Sequence, residues 1–297
     1  MMKEKFIDHP FRPISRRRIA LAHMILDQYE EQGYTLTLRQ LYYQMVARNF
    51  IPNRQEEYKK LGKTISKARL SGLIDWSMIE DRLRRPIMRH ADDNAQQSVL
   101  DTADLFHLYR WEGQENYLEL WCEKDAVSNV FEPVCYKYDI RFMADRGYAS
   151  QTAMYDAYNR IYRELAKGKH VTIIYFGDHD PSGIDMTRDI RDRLGLFLNG
   201  SDGRYPVEFV DRAALNMDQV EQYKPPENPA KVNDPRFYAY VERYGSSSWE
   251  LDALEPSVLA DLAESIIIDK IDFDIWNKIE EKEEEAKDRI RDAAYDL

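Results

Sequence analysis

The sequence predicts an α/β protein, with an N-terminal helical unit ahead of a mostly parallel sheet covered by helices on both faces. Three observations carry this prediction. Between about residues 117 and 210, β-branched and aromatic runs such as "HVTIIYF" alternate with amphipathic helical stretches, the pattern of repeated βαβ units. The first third holds apolar residues at helical spacing only. A polar stretch between the two, "PIMRHADDNAQQ", marks a boundary, so the chain divides into residues 1–88 and 89–297.

In the first part, Ser15 is read as the cap of "RRRIALAHMILDQYEEQ". Its Ile19, Ala22, Ile25, Leu26 and Tyr29 share one side, and Gly33 stops it. Thr37 opens "LRQLYYQMVARNF". A third helix, "EEYKKLGKTISKARLSG", places Tyr58, Leu61, Ile65 and Ala68 on one face and Lys59, Lys60, Lys63 and Lys67 elsewhere. Three short helices, the third of them basic, with an extended tail after Gly72 predict a winged-helix or helix-turn-helix unit. A plain helical bundle is the alternative.

In the second part, strands are expected at 117–123, 140–144, 170–176 and 206–210. Helices are expected at 124–138 (despite Pro133), 150–168 and 182–198. After Asp211 the chain turns irregular and proline-rich, then helical. Ile271, Ile275, Ile279, Ala286 and Ile290 form a stripe expected to pack on the body, with a dimer contact as the alternative.

The net charge of −11 is unevenly spread. Residues 1–90 hold 18 Lys+Arg against 10 Asp+Glu, and the remainder is strongly acidic. An acidic body with a basic first third fits a protein that meets nucleic-acid phosphates with one part only. A chance asymmetry between surface faces would look the same. No run approaches the ~20 apolar residues of a membrane span, and the first twenty residues lack the apolar core of a signal peptide. The two cysteines, Cys122 and Cys135, form no metal or redox motif and are read as reduced thiols of a cytoplasmic protein.

The chemistry concentrates in "VTIIYFGDHDPSGIDM", residues 171–186. On a strand, positions i and i+2 point the same way, so Asp178 and Asp180 are expected to converge and His179 to point elsewhere. Converging carboxylates demand a counter-charge, and a divalent cation supplies one. Oxygen-only ligands favour magnesium or manganese. Asp180 can also cap the helix that starts near Ser182. The plain alternative is that both aspartates serve the turn and the cap alone. A second acid favours the metal. "LELWCEKDA" ends another expected strand on Glu123, which neighbouring parallel strands would bring to the same rim.

A strand ending in Glu, then some fifty residues later a strand ending in Asp-x-Asp, resembles the Toprim domain of topoisomerases, primases and certain nucleases. "GDHDPSGID" is most similar to the A subunit of topoisomerase VI and its meiotic double-strand-break relatives, and "RGYAS" (146–150) and "WELDAL" (249–254) also resemble segments of that family. The resemblance implies that Glu123, Asp178 and Asp180 hold magnesium, with Glu123 as a further general acid/base. Glu250 and Asp252 are weaker candidates for the same site.

The family also carries a DNA-cleaving tyrosine in an N-terminal winged-helix domain, after an Arg, two residues and a Tyr-Tyr pair. "LRQLYYQMV" aligns Arg39, Tyr42 and Tyr43 with that motif. Leu38, Leu41, Tyr42 and Met45 form one stripe, which makes Tyr42 a core residue. Tyr43 lies one turn after Arg39 on its side of the helix. A guanidinium there would favour the phenolate and could hold a phosphate, so Tyr43 is the candidate nucleophile and Arg39 its helper. Packing is the alternative role for Tyr43. The resemblance implies transesterification of double-stranded DNA by a homodimer, with the tyrosine of one protomer meeting the metal of the other. It also implies a separate ATPase subunit for any strand passage, because this chain has no P-loop or comparable motif. Arg39, Lys63, Lys67 and Arg69 are the expected DNA contacts. A hydrolytic Toprim nuclease and a non-catalytic DNA-binding protein are the competing functions.

Overall fold

The computed structural model describes residues 5–79, 91, 93–145, 147–201 and 209–295. Helix α1 is Pro13–Glu31. Proline at its first position has its φ preset and needs no amide partner. Arg12 therefore holds the cap position, and Ser15, the cap expected from the sequence, lies inside the helix. The stripe from Ile19 to Tyr29 is buried, as its spacing predicts, and Gly33 at φ +82° makes the left-handed exit.

Helix α2 (Leu38–Ala47) opens on a reciprocal cap. Gln40 N donates to Thr37 Oγ1 at 3.3 Å, and Thr37 N donates to Gln40 Oε1 at 2.8 Å. Helix α3 (Gln55–Leu70) buries Leu61, Ile65 and Ala68 beside α1 and α2 and leaves Lys59, Lys60, Lys63 and Lys67 exposed. From Gly72 to Ile79 the chain runs through turns to a single bridge between Ile79 and Leu36. The rest of the expected tail, residues 80–85, and residues 86–90 and 92 of the expected boundary lie outside the described residues.

Strands β1 (Asn116–Cys122), β2 (Arg141–Ala144), β3 (His170–Phe176) and β4 (Val210–Ala214) form one parallel sheet in the order β2-β1-β3-β4. Alternate residues face opposite ways. Leu118, Leu120, Cys122 and Phe176 pack with α5 (Ser128–Lys137) and α10 (Pro256–Ile268). Tyr117, Trp121, Ile173 and Tyr175 pack with α6 (Gln151–Ala166) and α7 (Pro181–Ser201). Glu119 also faces α6. Its fully buried carboxylate accepts from Tyr117 Oη at 2.6 Å, from Trp121 Nε1 at 2.9 Å, and from Arg160 Nε and Nη2 at 2.9 Å each. Four donors offset the cost of burying that charge.

The fourth strand begins at Val210, later than expected, and residues 206–208 of the expected strand lie outside the described residues. Asp211 and Arg212 interrupt its apolar run, so the sequence ends the strand too early. After it come α8 (Met217–Tyr223), β5 (Glu227–Pro229), α9 (Phe237–Tyr244), β6 (Ser247–Trp249), α10 and α11 (Phe273–Ala294). Strands β5 and β6 form a small antiparallel pair with no signature in the sequence. Helix α11 packs on α4 (Ala95–Leu105), with Ile275, Ile279, Ala286 and Ile290 half-buried. Cys122 and Cys135 are buried and free. Among the described residues no helix is long and apolar enough to cross a membrane.

Candidate active site

Strands β1 and β3 are neighbours in register through Cys122 and Phe176, so Glu123 and Asp178 leave the sheet side by side. Glu123 N donates to Phe176 O at 2.8 Å, and Asp178 N donates to Glu123 Oε2 at 2.9 Å. The loop then turns back tightly. A Cβ on Gly183 would stand 2.2 Å from Asp178 O and 3.0 Å from Glu123 Oε2, so only glycine fits at that position. Arg212 of β4 ties the loop from below, donating to Asp178 O at 2.6 Å, Gly177 O at 3.1 Å and Gly183 O at 2.9 Å. Burial pulls its pKa below the usual arginine value.

The small sheet completes the rim. His179 and Trp249 exchange backbone hydrogen bonds of 2.9 Å in both directions. That pairing carries Glu250 and Asp252 to the end of β3, where Leu251 N donates to Asp178 Oδ1 at 2.8 Å. The His179 ring lies among Tyr240, Tyr244 and Trp249, and burial, with Arg212 adding to it, pulls its pKa down to about 4.

Asp178, Glu250 and Asp252 each bring a carboxylate oxygen within 4.8 Å of the other two, a group that can hold a metal ion. Among the described residues it is the one group of this kind, and the two weaker candidates belong to it. Glu123 and Asp180 do not. The extended backbone ends at Phe176, so the two-residue alternation that would converge Asp178 and Asp180 has lapsed. Asp180 instead caps α7, accepting from Gly183 N at 2.7 Å and Ser182 Oγ at 2.8 Å, and pairs with Lys231 Nζ at 3.0 Å. Burial raises its pKa, but these partners outweigh that and lower it. Glu123 has turned one oxygen into the loop, and burial raises its pKa.

Lys124 stands within the acid group. Its Nζ is 2.8 Å from Asp178 Oδ1 and 2.9 Å from Asp252 Oδ1, and it also contacts Glu250 Oε2. Burial alone would lower its pKa; Asp252, Asp178 and Glu250 outweigh burial and hold it well above the lysine value. Asp178 moves upward, from burial and from the acids around it. Asp252 Oδ2 is 3.2 Å from Arg39 Nε but out of line for a hydrogen bond, so this buried oxygen makes none. An all-oxygen donor set with one such oxygen fits a hard divalent cation.

Helix α2 meets this rim from the other side. Arg39 Nη2 is 3.1 Å from Glu250 Oε2 and 3.5 Å from the Tyr43 hydroxyl. Arg39, Tyr42, Tyr43, Asp180, Lys231 and Glu250 share the wall of a cavity of about 430 Å³. Tyr43 is 6% exposed and Tyr42 5%, so helical spacing did not separate a core tyrosine from a surface one. The turn at 251–253 covers α2 on the side the sequence left open, with Ala253 in the same core cluster. Their hydroxyls do differ. Tyr42 Oη donates to Asn53 Oδ1 at 2.9 Å and accepts from Arg54 N at 2.8 Å, while Tyr43 Oη has the long Arg39 contact. Arg39 does pull the Tyr43 pKa down, as expected, but other groups outweigh it. Burial first, then Glu250 and Asp252, push its pKa up to about 12 against the pull of Arg39 and Lys124.

Of the other expected DNA contacts, Lys63 and Lys67 are exposed on α3. Arg69 is not available in the same way. Its guanidinium lies 4.3 Å over the Trp76 ring and donates to Trp76 O at 2.7 Å and Ile79 O at 3.2 Å. Arg146 of "RGYAS" lies outside the described residues. Sequence reasoning passed over Lys124, Lys231, Arg212 and Asp145. The last is buried just beyond β2, and burial lifts its carboxyl to about 6. An acid directly after a strand was a readable signal for Asp145, as it was for Glu123. Comparison of the chain with protein-family models and with curated proteins finds no match.

Proposed function

We propose that this chain cleaves DNA with the help of a divalent metal, by tyrosine transesterification of the topoisomerase VI A-subunit type. The observation that carries the reading is that Tyr43 and Arg39 share a cavity with Glu250, and that Arg39 pairs with Glu250 and Asp252 of the Asp178–Glu250–Asp252 group, from elements far apart in sequence. In this reading the three-helix unit is a winged-helix-like DNA-binding domain and the parallel sheet a Toprim domain. Magnesium, or manganese in its place, is the cation of the Asp178–Glu250–Asp252 group.

The chain's own residues divide the work. Lys63 and Lys67 hold duplex DNA through its phosphates. Arg39, half exposed, grips the scissile phosphate beside the Tyr43 hydroxyl. Tyr43 Oη forms the bond to phosphorus as the bond to the 3′-oxygen breaks. The phenol gives its proton to solvent, and Arg39 Nη2, 3.5 Å away, steadies the phenolate. Glu123, its pKa raised by burial, supplies the proton to the departing 3′-oxygen. A bound divalent cation would stabilise negative charge on the phosphate oxygens and on that leaving group. Tyr43 lies beside the acids of its own chain, so a homodimer supplies the second strand's site rather than completing the first. Any strand passage falls to a separate ATPase subunit.

Hydrolysis by a Toprim nuclease is the second reading. The burial of Tyr43 and its raised pKa favour it, because a protonated phenol is a poor nucleophile. Incubation with supercoiled DNA and magnesium, then denaturation with and without protease, tests the two. Transesterification leaves nicked or linear DNA attached to protein until digestion; hydrolysis leaves free ends. DNA that is not cut at all by wild type, or is cut equally by Asp252→Asn, overturns both.

A further inference from the structure

We infer that Lys124 is the resident cation of the acid group and must leave its seat for a divalent ion to enter; this rests on the metal reading above. An ammonium has three donors and no acceptor. Lys124 donates to Asp252 Oδ1 (2.9 Å) and Glu250 Oε2 and forms an ion pair with Asp178 Oδ1 (2.8 Å), so it meets one oxygen from each carboxylate of the group. A metal drawing on the same oxygens would need the same point in space. It would also need the oxygens closer, since magnesium–oxygen distances are about 2.1 Å. Ammonium and metal therefore exclude each other.

The geometry makes the exchange feasible. Arg39 stays on Glu250 and Asp252 from the α2 side, so the acids keep one counter-charge when the ammonium leaves. Lys124 lies two residues past the end of β1, where the chain leaves the sheet for the short turn at 125–127, and its flexible stem can withdraw without moving a strand. In the metal-free protein the ammonium keeps three carboxylates from repelling one another. Lys124 is thus a positioning residue that sets metal affinity by competition.

Calorimetric titration of Mn²⁺ into wild type and Lys124→Met tests this, with Lys282→Met as a control on exposed α11. Methionine keeps the apolar stem and removes the charge. Lys124→Met is expected to bind Mn²⁺ at least tenfold more tightly than wild type, with Lys282→Met unchanged. Equal affinity in wild type and Lys124→Met, or weaker binding in the variant, overturns the displacement and leaves the metal reading standing. If neither protein binds Mn²⁺, the metal reading falls and this inference with it. Should Lys124→Met fail to fold, amine acetylation of wild type mapped by mass spectrometry decides instead. Lys124 is expected to be protected without metal and labelled with saturating Mn²⁺, and labelling indifferent to Mn²⁺ overturns the inference.

Discussion

Replacing each of the paired tyrosines by phenylalanine separates chemistry from packing, because their hydroxyls differ in what they touch. Tyr43 Oη has one long contact, 3.5 Å from Arg39 Nη2. Tyr43→Phe should cost less than about 1 kcal/mol of stability, since a weak hydrogen bond and a desolvated hydroxyl are lost together. Tyr42 Oη is hydrogen-bonded to both Asn53 Oδ1 and Arg54 N, at 2.9 and 2.8 Å. Tyr42→Phe strands those partners and should cost about 1–3 kcal/mol. Chemical denaturation gives both numbers. Single-turnover trapping of protein–DNA adducts on denaturing gels gives the chemistry. Tyr43→Phe should form none, and Tyr42→Phe should form them at a rate near that of wild type. With Tyr43 held up at about 12, the reactive phenolate is scarce near neutrality. Adduct formation by wild type should therefore rise about tenfold per pH unit between pH 7 and 9. Adducts in Tyr43→Phe, or their loss in Tyr42→Phe alone, would refute the assignment of the nucleophile.

Asp145 has a folded pKa of about 6, above its ordinary 3.8, so the folded state binds the proton more tightly than the unfolded chain does. Its contribution to stability is full below about pH 4 and is lost as pH rises through 6. Asp145→Asn should match wild type at pH 4 and exceed it by up to about 3 kcal/mol at pH 7 in denaturation midpoints; a constant difference between the two pH values would count against a buried, proton-binding carboxyl. On α3, Lys63→Ala and Lys67→Ala should each flatten the salt dependence of duplex binding by about one unit of slope, measured by fluorescence anisotropy. Arg69→Ala should instead lower stability with the slope unchanged, because its guanidinium is stacked on Trp76. An unchanged slope for both lysines would move DNA off this face.

Much of the fold was legible because it is written in local periods. The α1 stripe, the Thr37 cap and the strand at 170–176 each depend on residues within a few turns of one another. So did the arrival of Glu123 and Asp178 on adjacent strand ends, which follows once two strands pair in parallel. The fourth strand, which the sequence places too early, shows the limit. Arg212 interrupts an apolar pattern there because it is a buried clamp on the loop at 177–183. A residue serving the site breaks the periodicity by which its strand would be recognised.

By itself the sequence determined the α/β architecture, the rim on which the acids gather and the Arg39–Tyr43 pair on one helix. Only the tertiary structure decided which acids form one group. That choice depends on a backbone pairing between His179 and Trp249, seventy residues apart, which brings Glu250 and Asp252 to Asp178 and leaves Asp180 to cap a helix. It also decided that Lys124 occupies the centre of the group and that Tyr43 is enclosed. The physical reason is the range of the forces involved. Helix and strand periods are set by neighbours along the chain, whereas the ionisation and pairing of a carboxylate are set by whatever charge and burial the whole fold brings to it.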